Sequence, residues 1–233
     1  MPFVHVNDLT VEFPIYGTSS RSLKKLLVSQ ATGGRLMNQA NEMVVVRALD
    51  KISFSIEHGE RVALVGHNGS GKSTLLRVLA GIYKPSGGTV HISGSVGALL
   101  EPAAGMDPEA TGVENIFLRG RVLGMSDAQI SSQLDEIVEF TELANFIELP
   151  MRTYSAGMFA RLAFAVSTAI NPDILLIDEG IGAGDAKFMA KVQGRLQGMI
   201  DRSPILILAS HDQTLVNQLC TRSIEFEHGQ IRA

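Results

Sequence analysis

At 233 residues with a hydrophobic fraction of 45%, the chain is long enough to bury a sizeable core as one large domain or as a domain with a subdomain. A net charge of -4 and a pI near 5.9, with both signs interspersed, argue against a general nucleic-acid binder, and no apolar run approaches the ~18 residues that span a bilayer. One cysteine, Cys220, excludes an internal disulfide, and the opening MPFVHVNDLT has no signal-peptide pattern, so a reducing cytoplasm is the expected compartment.

Residues 3–13 alternate as a strand does, and residues 47–56, followed by His58-Gly59-Glu60, read as a second strand that turns into the next element. The polar residues 17–46 between them read as an insertion. Within it, residues 20–30 place Leu23, Leu26 and Leu27 on one helical face and Arg21, Lys24 and Lys25 around the other, which predicts a short basic amphipathic helix suited to a membrane interface or a membrane subunit.

Residues 61–81, RVALVGHNGSGKSTLLRVLAG, form the stretch with the most chemistry. The match to GxxxxGK(S/T) is complete at Gly66, Gly71, Lys72 and Ser73, with an apolar run before it and Leu75, Leu76 and Leu79 at helical spacing after it. Strand, phosphate loop and helix are therefore expected in that order. Gly66, Gly69 and Gly71 have no Cβ, so the loop, with His67, Asn68, Ser70 and Thr74, can aim backbone N–H groups at a polyphosphate placed on the helix N-terminus. Lys72 is placed to reach the β- and γ-phosphates, and the Ser73 hydroxyl to hold a Mg²⁺.

Beyond this helix, residues 89–100 read as one strand carrying Val90, Ile92, Val96 and Leu99. Residues 111–123, 127–140 and 156–170 then show 3.6-residue periodicity, a helical insertion. The last third alternates again: ILLID (174–178), a helix over 185–199, ILILAS (205–210), a helix over 212–219, and a terminal hairpin. Short wholly apolar runs alternating with helices predict a parallel sheet covered on both faces. Asp178 and Glu179 end one such strand, where ligands bind in open α/β sheets. Asp178 is expected to hold Mg²⁺ and Glu179 to polarise a water. His211 directly follows the strand ILILAS and so lies at the same edge.

The order of phosphate loop, YSAGM (154–158) opening a helix, ILLIDE, Asp185 and His211 resembles the ATP-binding cassette family of transport ATPases over essentially the whole chain. The resemblance implies a P-loop NTPase (RecA-like) α/β core with an antiparallel β subdomain and an inserted α-helical subdomain, a single nucleotide-binding domain. Residues 1–100 would be the β subdomain and phosphate-loop core, with the insertion at about 17–46; residues 101–170 the helical subdomain; and residues 171–233 the rest of the core. It also implies ATP hydrolysis with Mg²⁺ by a head-to-tail homodimer, in which Ser155 and Gly157 of one subunit face the γ-phosphate held by the other. His211 resembles the switch histidine and Asp185 the dimer-contact aspartate. Counting back from Thr111 to the family's Mg²⁺-sensing glutamine lands at Glu101 or Pro102. The adenine-stacking aromatic falls at Tyr16, with Phe13 second.

YSAGM departs from LSGGQ at Tyr154, Ala156 and Met158, and GAGD replaces the commoner SALD. These departures, the long segment before Arg47 and GMDPEATGVENIFLRGRVLGMS resemble the branch that exports O-antigen, capsule or teichoic-acid chains. The implied protein is the ATPase of a bacterial exporter at the cytoplasmic face of the inner membrane. A separate permease pair would handle a lipid-linked glycan, with no nucleic acid and no C-terminal carbohydrate-binding domain. The competing readings are a cassette ATPase for another substrate and a soluble one not coupled to transport; a P-loop kinase or GTPase would have no use for YSAGM.

Overall fold

The computed structural model describes residues 1–15, 36–38, 44–178 and 186–232. Tyr16, the expected amphipathic helix at 20–30, Glu179 and Asp185 lie outside them. The chain divides into two compact units, one of Met1–Val96, Leu176–Glu179 and Pro204–Ala233, the other of Gly97–Leu175 and Gly180–Ser203. The fold is α/β with one mixed-order core sheet, as the class expected from the sequence requires.

In the first unit, β1 (Phe3–Ile15), β2 (Leu36–Asn38), β3 (Val44–Ile56) and β5 (Gly87–Ser93) form a four-stranded sheet in the order β2-β3-β1-β5. β1 is antiparallel to both β3 and β5, pairing Val4 with Ile56 and with Ile92. Its buried side chains, Val4 and Val6, then Leu9 and Val11 after a register shift, follow the two-residue period of a sheet with a single covered face. The core sheet has the order β10-β9-β4-β8-β7-β6. It comprises β4 (Arg61–Val65), β6 (Val96–Leu99), β7 (Ile174–Ile177), β8 (Ile205–Ala209), β9 (Arg222–Glu227) and β10 (Gln230–Ile231). β4 runs parallel to β8 and β9, with Leu64 level with Ala209 and Ile224. Every residue of β7 and β8 is buried, the signature of strands covered on both faces.

The helices of the second unit are α2 (Gly112–Val122), α3 (Asp127–Thr141), α4 (Ala156–Ser167) and α5 (Ala186–Arg202). α2 and α3 each begin with a capping box, Thr111 with Glu114 and Ser126 with Gln129, which satisfies orphan N–H groups at both starts. Ile116, Ile130, Ile137, Leu162 and Val166 form the core beneath α2, α3 and α4, each such burial being worth about 1.5–3 kcal/mol. Phe164 packs with Phe188 and Val192 of α5.

The structure corrects three boundaries. Residues 89–100 are not one strand: Gly94 at φ 110 separates β5 from β6, and the two belong to different sheets. α4 stops at Ser167 instead of residue 170, because Thr168 turns its hydroxyl back onto the carbonyls of Phe164 and Ala165. α5 extends to Arg202, beyond the end expected at about residue 199.

Candidate functional site: the phosphate loop and its cavity

β4 ends at Val65 and α1 (Lys72–Leu79) begins seven residues later, so residues 66–71 form the loop. Gly66, Gly69 and Gly71 all have positive φ, at 146°, 75° and 119°, a region that an L side chain enters only with strain. Two of the three are also required by packing. A Cβ on Gly66 would stand 2.2 Å from the carbonyl oxygen of Phe226, and one on Gly71 2.8 Å from Leu49 Cδ2 and 3.0 Å from the oxygen of Ala48. The loop is thus wedged between β3 and the β9–β10 hairpin. Gly229 N donates to Ser70 O at 2.8 Å, and Asp50 N to Gly229 O at 2.9 Å. At Gly69 nothing lies within 4 Å, so there only the backbone conformation calls for glycine.

Gly71 is the N-cap of α1, and no side chain caps that helix. The N–H groups of its first turn remain available to an anion, favoured further by the helix dipole. Lys72 is 9% exposed and bends back over the loop. Its Nζ donates to the carbonyl of Gly66 at 2.7 Å and to that of His67 at 3.1 Å. The His67 ring is held by Asn68 O at 2.8 Å and lies 5.0 Å, centroid to centroid, from that of His228.

A cavity of about 470 Å³ opens on this loop, lined by Ala48, Asn68 to Thr74, Asp178 and His211. Asp178 follows β7 directly. His211 stands between the buried β8, which ends at Ala209, and Asp212, whose carboxylate caps α6 (Gln213–Leu219) through Thr214 N at 2.8 Å. β4, β8 and β7 are successive strands of the core sheet, which is why residues more than a hundred positions apart meet at one edge. The Ser73 hydroxyl and the Asp178 carboxylate share the cavity. Such an oxygen donor pair suits Mg²⁺, which takes one or two protein ligands and completes its shell with phosphate and water.

The sequence-predicted residues Asn68, Gly69, Ser70, Gly71, Lys72, Ser73, Thr74, Asp178 and His211 are brought together here. Phe13 is not among the lining residues; half-buried on β1, it packs edge-on against Tyr83 at 5.2 Å. Glu101 follows β6 in the helical unit and is exposed. Ser155 and Gly157 belong to that unit also. The Ser155 oxygen accepts from Met158 N at 3.2 Å as N-cap of α4, which leaves its O–H to donate outward. The departure at Tyr154 is structural: its hydroxyl donates to Phe146 O at 2.9 Å, and burial raises its pKa. The sequence reading missed Ala48, Phe226 and Gly229. No local pattern marks them, since their role depends on strand order alone.

A glycine cradle, an uncapped helix start, a buried lysine, and an aspartate and a histidine at neighbouring strand ends define a P-loop nucleotide-binding site. Residues 49–182 match the sequence profile of the ABC transporter family. The chain is 50% identical to the O-antigen export system ATP-binding protein RfbE of Yersinia enterocolitica, over 96% of this chain and 94% of that one. It is 36% identical to the O-antigen export system ATP-binding protein RfbB of Klebsiella pneumoniae, over 99% and 92%. Among solved structures, a dimeric ATP-binding cassette in a post-hydrolysis state bound to ADP and Pi aligns at a TM-score of 0.68 and 22% identity, covering 99% of this chain and 97% of that one. The chain belongs to the ABC transporter family, as an ATPase domain.

Proposed function

We propose that this chain is the ATP-hydrolysing subunit of a bacterial exporter that moves lipid-linked polysaccharide, such as O-antigen, across the inner membrane. The cavity where Lys72, Ser73, Asp178 and His211 converge carries the hydrolytic part of this reading. The names of relatives at 50% and 36% identity support the substrate class.

In this reading the loop N–H groups and Lys72 hold the β- and γ-phosphates, Lys72 leaving the carbonyls of Gly66 and His67 to meet charge that grows in the transition state. Ser73 and Asp178 would hold Mg²⁺, which when bound would offset phosphate charge. Glu179 orients and deprotonates the attacking water, and His211 holds the γ-phosphate from the β8 side. Tyr16 is preferred for the adenine because the Phe13 ring is already engaged by Tyr83.

Two copies act head to tail, with Ser155 and Gly157 of each facing the other's ATP and Asp185 at the contact. Gly157 supports this: a Cβ there would meet nothing nearer than Ser155 Oγ at 3.9 Å, so packing within the chain does not demand glycine. A permease pair carries the glycan, and the dimer works at its cytoplasmic face, where residues 20–30 would form an amphipathic contact. Among the described residues no helix is long and apolar enough to cross a membrane.

The test is surface display of the glycan in a strain lacking this gene. Wild type should restore it, and Glu179→Gln should bind ATP, hydrolyse it slower by about 10²–10⁴ and restore none. Normal display with Glu179→Gln would overturn the reading.

A further inference from the structure

Arg119 lies on the inner face of α2, 5% exposed, and among the described residues its hydrogen bonds end on neutral oxygens. Nη1 donates to Ala104 O at 2.7 Å, Nη2 to Glu101 O at 3.4 Å, and Nε to Ser167 Oγ at 3.4 Å. The Ser167 hydroxyl passes the contact on, donating to Pro102 O at 3.2 Å. Two side chains therefore hold three carbonyls of the loop after β6. One turn earlier on α2, buried Asn115 holds the next stretch in the same way. It donates to the carbonyls of Asp107, Ala110 and Thr111 at 2.8, 3.2 and 2.9 Å and accepts from Asp107 N at 2.7 Å.

The choice of residue is informative. Burial lowers the Arg119 pKa, but a guanidinium keeps its charge in proteins, so this position bears a desolvated cation where an apolar side chain would fill the space. What an apolar side chain cannot do is grip several carbonyls at fixed angles, which the planar fork does. Ser167 is the last residue of α4, and Ser155 caps the first turn of the same helix. Twelve residues of α-helix make a strut of about 18 Å.

We infer that Arg119, with Ser167, is a positioning residue that fastens the 101–104 loop to α4, so that the loop and Ser155 move as one body. Displacement of the loop is then transmitted to the site that captures the partner subunit's ATP. This rests on the reading of Ser155 as a contact to nucleotide held by the second copy. Without the bracket, α4 and the loop reorient separately, and capture must order them again.

The experiment uses the full chain carrying Glu179→Gln and reads ATP-dependent dimerisation by size-exclusion chromatography with light scattering across Mg-ATP concentrations. Arg119→Met is compared with Arg119→Lys, Ser167→Ala and Ser155→Arg. Arg119→Met should raise the ATP concentration for half-dimerisation at least tenfold, Ser167→Ala severalfold, and Arg119→Lys by less than Arg119→Met. Binding of a fluorescent ATP analogue to monomers that also carry Ser155→Arg should stay within twofold. If Arg119→Met lowers only the urea midpoint and dimerises as the parent does, while Ser155→Arg does not dimerise, the bracket is merely structural and the inference fails alone. Normal dimerisation of Ser155→Arg overturns the reading of Ser155 and the inference with it. Should Arg119→Met not fold, Ser167→Ala decides: a shift supports the bracket, and none overturns it.

Discussion

The backbone oxygen of Phe226 approaches Gly66 so closely that a Cβ on Gly66 would lie 2.2 Å from it, and that hypothetical atom would also stand 2.9 Å from Ser70 Oγ. The first glycine of the phosphate loop is therefore a seat for the β9–β10 hairpin. Backbone on one side cannot give way as a side-chain tip would, and φ at Gly66 is 146°. Gly66→Ala is expected to lower stability by about 1–3 kcal/mol, the usual range for such backbone strain, and to weaken ATP binding at least tenfold by shifting the loop. Thermal melts and fluorescent-nucleotide titration of the variant check both; a wild-type affinity would contradict the contact.

Lys72 clasps the same loop from its other end. Its Nζ ties the carbonyls of Gly66 and His67 together, so Lys72→Ala removes a loop clasp and, on the proposed mechanism, a transition-state charge. Turnover should fall by about 10² or more, in line with deletion of one preorganised electrostatic group, while the urea midpoint moves little because the loop backbone is still held by Gly229. Steady-state ATPase assays beside urea titration separate the two roles.

Much of this site was legible because its chemistry is written in short spacings. Residues 66–74 are contiguous, and Asp178 and His211 each follow an apolar run that could only be a buried strand. What a local pattern cannot contain is adjacency created by strand order. β9 lies beside β4 although 156 positions separate Phe226 from Ser70, and that pairing alone brings Phe226 and Gly229 onto the phosphate loop. The same limit explains residues 89–100, where continuous alternation concealed a change of sheet at Gly94. Arg119 was invisible for a different reason: an arginine in a helical pattern is read as a solvated face, and its burial follows from the loop folded over it.

Cys220, just after α6, is half-buried, and burial pushes its thiol up to about 11 against an opposing pull from Arg61. At pH 8 the thiolate fraction is then about 0.1%, against roughly a quarter for an ordinary cysteine. Iodoacetamide should label the folded chain at least tenfold more slowly than the chain unfolded in urea at the same pH. Equal rates would show that the thiol is not shielded.

Glu60 and Arg222 bind the entry of β4 to the start of β9. Arg222 Nε donates to Glu60 Oε1 at 2.7 Å and Nη2 to Oε2 at 3.4 Å, while Glu57 N donates to Oε2 at 2.6 Å. The Arg222 hydrogen bond, and then the Glu57 amide, hold the Glu60 carboxyl below its usual range. A folded-state pKa below the unfolded one means that the unfolded chain binds more protons near that pH, so the contribution is complete above the unfolded pKa and disappears as pH falls through the folded one. Both side chains are about a third exposed, at 39% for Arg222 and 30% for Glu60, and screening limits the pair to about 0.5–1 kcal/mol. Glu60→Gln should therefore be less stable than wild type by that amount at pH 7, with the gap closing as pH falls below the usual carboxylate range. ATP affinity should be unchanged, because Glu60 precedes β4 and the phosphate loop follows its far end. Urea titrations of the two proteins at pH 7, 5 and 3 check this; a gap that stays constant would mean that the Glu60 charge contributes nothing to the fold.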